Sequence, residues 1–197
     1  MTLPPILVLD LEATSEDRET AGIVDLAALW LDESMAGIHS LSFDERCRPR
    51  PHCEIQDEAL KVNGCNWLRD KTVMTETEAI CRLAAWLDGR KAILAGCNPG
   101  YDWHVLKKGW QAAMDDHESE WDLITPWPFG FRTIDVHSAA VIDAIQAGAA
   151  DQISAEGLKS RLICNAFEVP EESKPHRAMA GASWECAVLR KVMGLPV

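Results

Sequence analysis

Two carboxylates stand two positions apart at the end of an apolar segment near the start of the chain. Asp10 and Glu12 close the segment that begins with the apolar residues 6–9, a pattern typical of a buried β-strand. Because strand side chains alternate between faces, both carboxylates should point to the same side of the sheet. Two like charges at the rim of a core repel each other, and a divalent cation bound by oxygen ligands would explain them. A strand end that simply reaches solvent would explain them equally well.

A third carboxylate, Asp102, lies at the start of a predicted helix. The short apolar segment 91–96 predicts a strand, residues 98–100 break it, and the pattern from Tyr101 onward predicts a helix. Asp102 therefore falls in the first helical turn. Acids are favoured there by the helix dipole, so Asp102 taken alone also has a purely structural explanation.

A histidine, His176, stands in the segment 174–182, which is predicted to open the last helix. That helix is expected to run to about Met193 and to end at Gly194. A histidine just before a helix or in its first turn is also an ordinary surface residue, so His176 taken alone is a weak indication of function.

Taken together and in this order, three segments resemble the motifs of the DEDDh branch of the DnaQ-like 3′–5′ exonucleases. VLDLEAT is similar to the first exonuclease motif, GCNPGYDWHVL to the second and PHRAMAGA to the third. RPRPHCEIQDEALKVNG is similar to the stretch that joins the third strand to a short helix, while RTIDVHSAAVI and ISAEGLKSRLICNAF occupy the places of two later helices. The resemblance covers most of the chain. It implies an α/β fold of the ribonuclease H-like type, with a mixed five-stranded sheet flanked by helices on both faces.

The resemblance implies metal-dependent hydrolysis of a phosphodiester bond. Two Mg²⁺ or Mn²⁺ ions would be bound by Asp10, Glu12 and Asp102, and His176 would remove a proton from the attacking water. These four residues are therefore expected to be the catalytic group.

The substrate implied by the resemblance is the 3′ end of single-stranded or short DNA or RNA. Backbone groups around Ala13 and Thr14 would hold the terminal nucleotide, and Asn98 would orient the turn that carries Asp102. The choice between DNA and RNA depends on contacts to the sugar, which these motifs do not specify.

One position departs from the family pattern. The last metal-binding Asp of the family would fall at residue 181, where this chain has Gly181. Glu185 lies one helical turn further along the same face, and its side chain leans back toward residue 181, so Glu185 is a candidate ligand. A charged residue on a solvated helix face is the other explanation. The departure also supports a second hypothesis, a catalytically impaired exonuclease fold that binds nucleic acid or a protein partner.

The size and charge of the chain narrow these possibilities. With 197 residues, 47% of them hydrophobic, the chain is expected to form a single domain over residues 1–197. Its net charge of −12 opposes binding along an extended duplex. A pocket that grips only the end of a strand is compatible with that charge. A homodimer is left open.

The chain has no apolar run of about 18 residues and no basic, apolar leader, so neither a membrane span nor a secretory signal is expected. Its seven cysteines are scattered and odd in number, which favours reduced thiols in a cytoplasmic protein. A zinc site is a poor alternative, because the spacing of its candidate ligands Cys47, His52, Cys53 and Cys65 is unfavourable.

The remaining elements predict the order of a mixed sheet. After a first strand at about 6–12, residues 22–31 are apolar on both faces, as in a central strand, and His39, Leu41 and Phe43 alternate in a third strand. The capping-box sequence of residues 75–78 opens a helix that should end near Gly89.

Residues 115–130 predict the longest loop, with an aromatic segment at 126–131. Exposed Trp and Phe stack on bases with about 1–3 kcal/mol per base. Since eight Trp cannot all serve as binding platforms, packing of these side chains on the domain is favoured.

Overall fold

The structure, a computed structural model, describes residues 5–31, 42–115, 127–148, 160–171 and 174–195. The strands in this part of the chain are β1 (Ile6–Ala13), β2 (Ile23–Leu31), β3 (Ser42–Arg46), β4 (Ala92–Gly96) and β5 (Phe129–Asp135). The helices are α1 (Asp57–Val62), α2 (Glu76–Leu87), α3 (Pro99–Asp115), α4 (Val136–Gln146), α5 (Ser160–Phe167) and α6 (Ala178–Val192).

The five strands form one mixed sheet in the order β3-β2-β1-β4-β5. β2 pairs antiparallel with both β1 and β3, whereas β4 pairs parallel with β1 and with β5. The carboxyl ends of β1 and β4 therefore meet at one edge of the sheet, where ligands commonly bind in folds with parallel strands.

Helices cover both faces, because alternate residues of β1 pack into two separate cores. Leu7 and Leu9 belong to a cluster with apolar side chains of α2 and α3. Ile6 and Val8 belong to a second cluster with side chains of α4, α5 and α6. The predicted mixed five-stranded sheet with helices on both faces is confirmed.

The predicted element boundaries differ from the observed ones at two helix starts. α3 begins at Pro99 rather than Tyr101, because the fixed φ of proline suits the first helical position. α6 begins only at Ala178, so His176 lies in the connection before the helix. The capping box of α2 is confirmed: the Thr75 hydroxyl accepts from the Glu78 backbone, and the Glu78 carboxylate accepts from the Thr75 backbone.

The prediction of a helix over RTIDVHSAAVI is wrong in its first four residues, which belong to β5. The strand pairs irregularly with β4 between Ala92 and Leu94, and Gly130 accepts a hydrogen bond from the indole of Trp103. Glycine and two charged residues interrupt the alternation of β5, which hides it in the sequence. The helix starts at Val136, with Asp135 accepting from the backbone of Ser138 as its cap.

The aromatic segment divides into a packed and an exposed part. Trp127 packs edge to face against the rings of Trp103, Trp110 and Phe129, with ring centres 5.1–5.7 Å apart, as favoured. Phe131 is 83% exposed. Residues 116–126 of the expected loop lie outside the described residues, as do the third-strand positions His39 and Leu41.

No helix in the described ranges has the length and apolar character needed to cross a membrane. None of the seven cysteines, all of which are described, forms a disulfide bond.

Candidate active site

Asp10 and Glu12 lie on the face of β1 that packs against α6. They stand opposite Ala27 and Asp25 in the antiparallel pair with β2, and both are half-buried. The Asp10 carboxylate rests directly on α6, where a Cβ atom at Gly181 would overlap its Oδ2 and lie 2.8 Å from its Cγ. The absence of a side chain at Gly181 thus provides the space that the Asp10 carboxylate occupies.

Asp102 joins this group from the first turn of α3. Its side chain is only 5% exposed, and its carboxylate accepts a hydrogen bond from the Leu11 backbone, between the two β1 acids. Burial raises the pKa of Asp102 well above its ordinary value, and the carboxylates of Glu185 and Glu12 raise it further. Segments about 90 residues apart therefore bring their acids together.

Glu185 also belongs to the group. It is 3% exposed, so its assignment to a solvated helix face is wrong. Its Oε1 accepts a hydrogen bond from the Cys97 backbone at 2.6 Å, and its Oε2 lies 3.5 Å from the position of a Cβ at Gly96. Burial and the neighbouring carboxylates of Glu185, Asp135 and Asp10 raise the pKa of the Cys97 thiol, which therefore stays protonated.

The group has the donor type that suits a hard divalent cation. Carboxylate oxygens are the preferred protein ligands of Mg²⁺ and Mn²⁺, and a bound cation would relieve the mutual repulsion of these acids. Within the described ranges, no three His, Cys, Asp or Glu side chains are already arranged as the ligands of one ion.

His176 is half-buried in the connection that leads into α6. Its backbone N–H donates to the Val62 carbonyl at 3.2 Å. The next residue, Arg177, forms an ion pair with Asp25 at 2.5 Å. These contacts hold the histidine between the end of α1 and the first residues of β2.

A cavity of about 390 Å³ opens beside Glu12. It lies between the end of β1, α1 and the start of α3, and its walls carry three glutamates and no basic side chain. The lining residues are Leu11, Glu12, Ala13, Ser15, Glu16, Gln56, Glu58, Ala59, Val62, Asn63, Asn98 and Tyr101. Such walls suit an uncharged sugar and base, whereas a phosphate there requires a cation.

The three residues expected to contact the substrate differ in access to this cavity. Ala13 and Asn98 line it, and the Ala13 carbonyl is held by the side-chain amide of Asn63. Thr14 is fully buried outside the lining, and its hydroxyl is used in hydrogen bonds with Gly22 and Glu54. Its backbone N–H and carbonyl are likewise bonded within the protein. Thr14 thus shapes the wall without presenting a free polar group.

Asn98 makes the turn from β4 into α3. Its φ of 54° is in the left-handed region, which asparagine tolerates better than most residues. Its carbonyl accepts from the Tyr101 backbone at 2.9 Å, which fixes the first turn of α3 and hence Asp102.

Sequence reasoning missed several residues that line the cavity or support the carboxylate group. Tyr101 lines the cavity and donates its hydroxyl to the Ser15 carbonyl, and burial raises its pKa to about 12. The position of Tyr101 next to Asp102 in the sequence could have indicated that it belongs to the site. The sequence contains no such indication for Asn63 and Asp25, because their partners lie 50 and 152 residues away along the chain.

No family model and no curated protein sequence matches this chain. Solved structures of exonuclease I do match it. E. coli exonuclease I in complex with a dT13 oligonucleotide has a TM-score of 0.65 at 19% identity, over 96% of this chain and 41% of that one. A further exonuclease I structure has a TM-score of 0.70 at 17% identity, over 98% and 41% of the two chains. The zinc-bound form of the E. coli exonuclease I–single-stranded DNA complex has a TM-score of 0.69 at 18% identity, over 97% and 40%.

This chain therefore spans about two fifths of the length of the exonuclease I chains it matches. Identities below one fifth establish a shared ribonuclease H-like fold and no more.

Proposed function

We propose that this chain is a metal-dependent 3′–5′ exonuclease that removes nucleotides from the 3′ end of single-stranded or short nucleic acid. The observation that carries the proposal is the group of buried and half-buried carboxylates near the ends of β1 and β4, beside a cavity that suits a nucleoside. A carboxyl whose pKa is raised by two other carboxylates is costly to the fold, which favours a functional explanation. The oligonucleotide bound to exonuclease I, which has the same fold, makes single-stranded DNA the first substrate to test.

The carboxylates of Asp10, Glu12, Asp102 and Glu185 would hold two Mg²⁺ or Mn²⁺ ions. Such ions, when bound, neutralise the charge of the scissile phosphate and lower the pKa of an attacking water. Glu185 takes the role of the family Asp that is absent at Gly181. Its buried carboxylate and its bond to the Cys97 backbone support this assignment.

His176 acts as the general base. An unprotonated ring nitrogen of the imidazole accepts a proton from the water as its oxygen attacks phosphorus, a role typically worth 10²–10⁴-fold in rate. The bond from phosphorus to the O3′ atom of the preceding nucleotide breaks, and that oxygen takes up a proton. A nucleoside 5′-monophosphate leaves, and the shortened strand has a new 3′ hydroxyl.

The cavity beside Glu12 receives the terminal nucleoside. Ala13, whose carbonyl is fixed by Asn63, and the side chain of Asn98 would contact it, while Thr14 supports the wall from behind. Glu16 and Glu58, the two glutamates of the lining that do not belong to the carboxylate group, disfavour a phosphate inside the cavity. The phosphate is thereby directed to the carboxylate group, where the cations bind.

The direct test is degradation of a single-stranded oligodeoxynucleotide with Mg²⁺ or Mn²⁺. A 3′ label should be released first, and a 5′ label should report a ladder that shortens from the 3′ end. Asp10→Ala should abolish both signals. Asp115→Ala, which removes an exposed acid at the far end of α3, is the matched control and should retain them. Activity that survives Asp10→Ala refutes the proposal.

Gly181 favours a second candidate, an exonuclease fold that binds nucleic acid or a protein without cutting. Metal titration separates the two, because an ion that binds only the folded state raises the thermal midpoint. A midpoint that does not respond to Mg²⁺ or Mn²⁺, together with oligonucleotide binding but no cleavage, favours the binding module.

A further inference from the structure

Asp25 is a buried charge that the proposed chemistry does not use. It lies in β2 directly opposite Glu12 and has no exposed surface. Burying a carboxylate next to another acid is costly unless a cation compensates it. Arg177 supplies that cation: its Nε donates to Asp25 Oδ2 at 2.5 Å, and the Ala178 backbone donates to the same oxygen at 3.4 Å. Within the described residues Asp25 Oδ1 has no hydrogen-bond partner, so the bonds of this carboxylate serve the segment that leads into α6.

The contact occurs where α6 needs a cap. Arg177 is the N-cap residue of α6, and its own side chain makes no capping bond. Asp25 provides the missing oxygen from the sheet, and its negative charge is favourable at a helix N-terminus. The Arg177 guanidinium also lies 6.0 Å from the ring centre of Trp67, whose indole donates to the carbonyls of Val24 and Cys47. Arg177 is thus attached to the rigid sheet.

A second attachment lies on the other side of His176. The His176 backbone N–H donates to Val62 at the end of α1. Pro175 packs on Gly64 so closely that a Cβ at Gly64 would lie 2.7 Å from the proline Cβ. His176 is therefore held between two anchored neighbours, Pro175 against the turn after α1 and Arg177 against β2.

We infer that the Asp25–Arg177 ion pair is a positioning device for the His176 imidazole. The inference rests on the proposed function, because it gives the pair its role through the general base. Buried ion pairs contribute little net stability compared with apolar side chains of similar size, but they define one geometry. Proton transfer depends on such geometry, and a displacement of about 1 Å costs about a hundredfold in rate. Neither Asp25 nor Arg177 acts on the reacting atoms.

The test compares Arg177→Gln with Arg50→Gln, its matched control. Arg50 also forms a 2.5 Å pair with a buried carboxylate, Glu76, but this pair lies at the start of α2. Two readouts are measured at conditions of equal folded fraction: kcat and KM on a 3′-labelled single-stranded oligodeoxynucleotide with Mn²⁺, and the imidazole ¹⁵N shifts of His176 in the metal-free protein.

Arg177→Gln should lower kcat about ten- to hundredfold with KM within about twofold, and should move the His176 shifts. Arg50→Gln should leave both unchanged, and Arg177→Lys should restore part of the rate because it keeps the charge. Should Arg177→Gln fail to fold, Asp25→Asn, which keeps the shape of the side chain, takes its place with the same expectations.

The inference is overturned by His176 shifts that coincide with those of the wild type, or by a loss of kcat no greater than in Arg50→Gln. A wild-type chain that cuts no oligonucleotide defeats the proposed function instead. In that case the imidazole shifts still decide whether the ion pair fixes the histidine.

Discussion

Glu76 and Asp102 are both buried acids in the first turn of a helix, yet the groups around them shift their pKa in opposite directions. Glu76, at the start of α2, accepts hydrogen bonds from the backbones of Ile23 and Arg50 and from the Arg50 guanidinium. Burial raises the pKa of Glu76, while Arg50 and these bonds lower it. Burial also raises the pKa of Asp102, but there Glu185 and Glu12 add to the increase.

The difference separates a structural corner of the molecule from the corner to which we assign the proposed metal site, called the functional corner below. The Glu76 corner holds together the start of α2, the start of β2 and the segment before α1, and its charge is balanced by an arginine. The Asp102 corner gathers acids whose repulsion opposes folding. A bound cation would stabilise such an arrangement, whereas the charge of Glu76 is already balanced by Arg50.

The largest effect is expected from breaking the structural corner. Glu76→Gln removes the charge that balances Arg50, and loss of one partner of a buried pair costs about 3–5 kcal/mol. The free energy of unfolding, measured by chemical denaturation, should fall by this amount. Nuclease activity per folded molecule should stay unchanged.

The control for this prediction is Glu45→Gln, which breaks the exposed pair of Arg82 and Glu45. An exposed pair contributes about 0–1 kcal/mol, so its loss should be small. Equal losses in the two variants would contradict the structural role of Glu76.

A glutamate-to-glutamine substitution in the functional corner should lower activity and leave stability intact, the reverse of the result expected for Glu76→Gln. Glu185→Gln keeps an acceptor for the Cys97 backbone but removes a charge from the carboxylate group. Stability without metal should be unchanged or higher, because repulsion of Asp102 is relieved. Nuclease activity should fall about a hundredfold, and the increase in thermal midpoint caused by Mn²⁺ should shrink. A variant that keeps full activity and full metal response excludes Glu185 as a ligand.

Much of both corners could be predicted from the sequence where the signal is local. The capping box that opens α2 and the shared face of Asp10 and Glu12 follow from spacings of two or three residues. Chain-distant contacts could not be predicted in this way. The bond of Glu185 to Cys97 spans 88 residues and the pair of Asp25 and Arg177 spans 152.

The fifth strand and the role of Gly181 illustrate two other limits. β5 lacks an alternating pattern, because Gly130 and the residues after it bulge away from β4. At Gly181 the family pattern indicates a missing metal ligand, so from the sequence alone Gly181→Asp is expected to raise the rate. The packing of Asp10 on this glycine changes that expectation.

A side chain at residue 181 should therefore disturb the functional corner. A Cβ there would overlap the Asp10 carboxylate, so Gly181→Ala should displace Asp10 and lower activity about tenfold. Gly100→Ala is the matched control on α3, because a Cβ at Gly100 meets nothing within 4 Å. Gly181→Asp adds a carboxylate to the same steric change. A rate above that of the wild type would show that the site can use an Asp at residue 181 as a metal ligand.

The smallest effect is expected in the pH dependence of stability, because one carboxyl titrates among many. The folded-state pKa of Asp102 is raised above its ordinary value of 3.8, so at intermediate pH the folded state keeps a proton that the unfolded state has released. The contribution of Asp102 to stability is then fully present below pH 3.8 and is lost as the pH rises through the folded-state pKa.

The test compares the thermal midpoints of Asp102→Asn and the wild type without metal. The midpoint of Asp102→Asn should rise relative to that of the wild type as the pH increases from about 4 to about 8. Acids whose pKa is lowered, such as Glu78, affect both proteins alike and cancel in this difference. Saturating Mn²⁺ should reverse the trend, because the carboxylates bind metal only when deprotonated, and a difference that stays constant with pH would place Asp102 outside the repelling group.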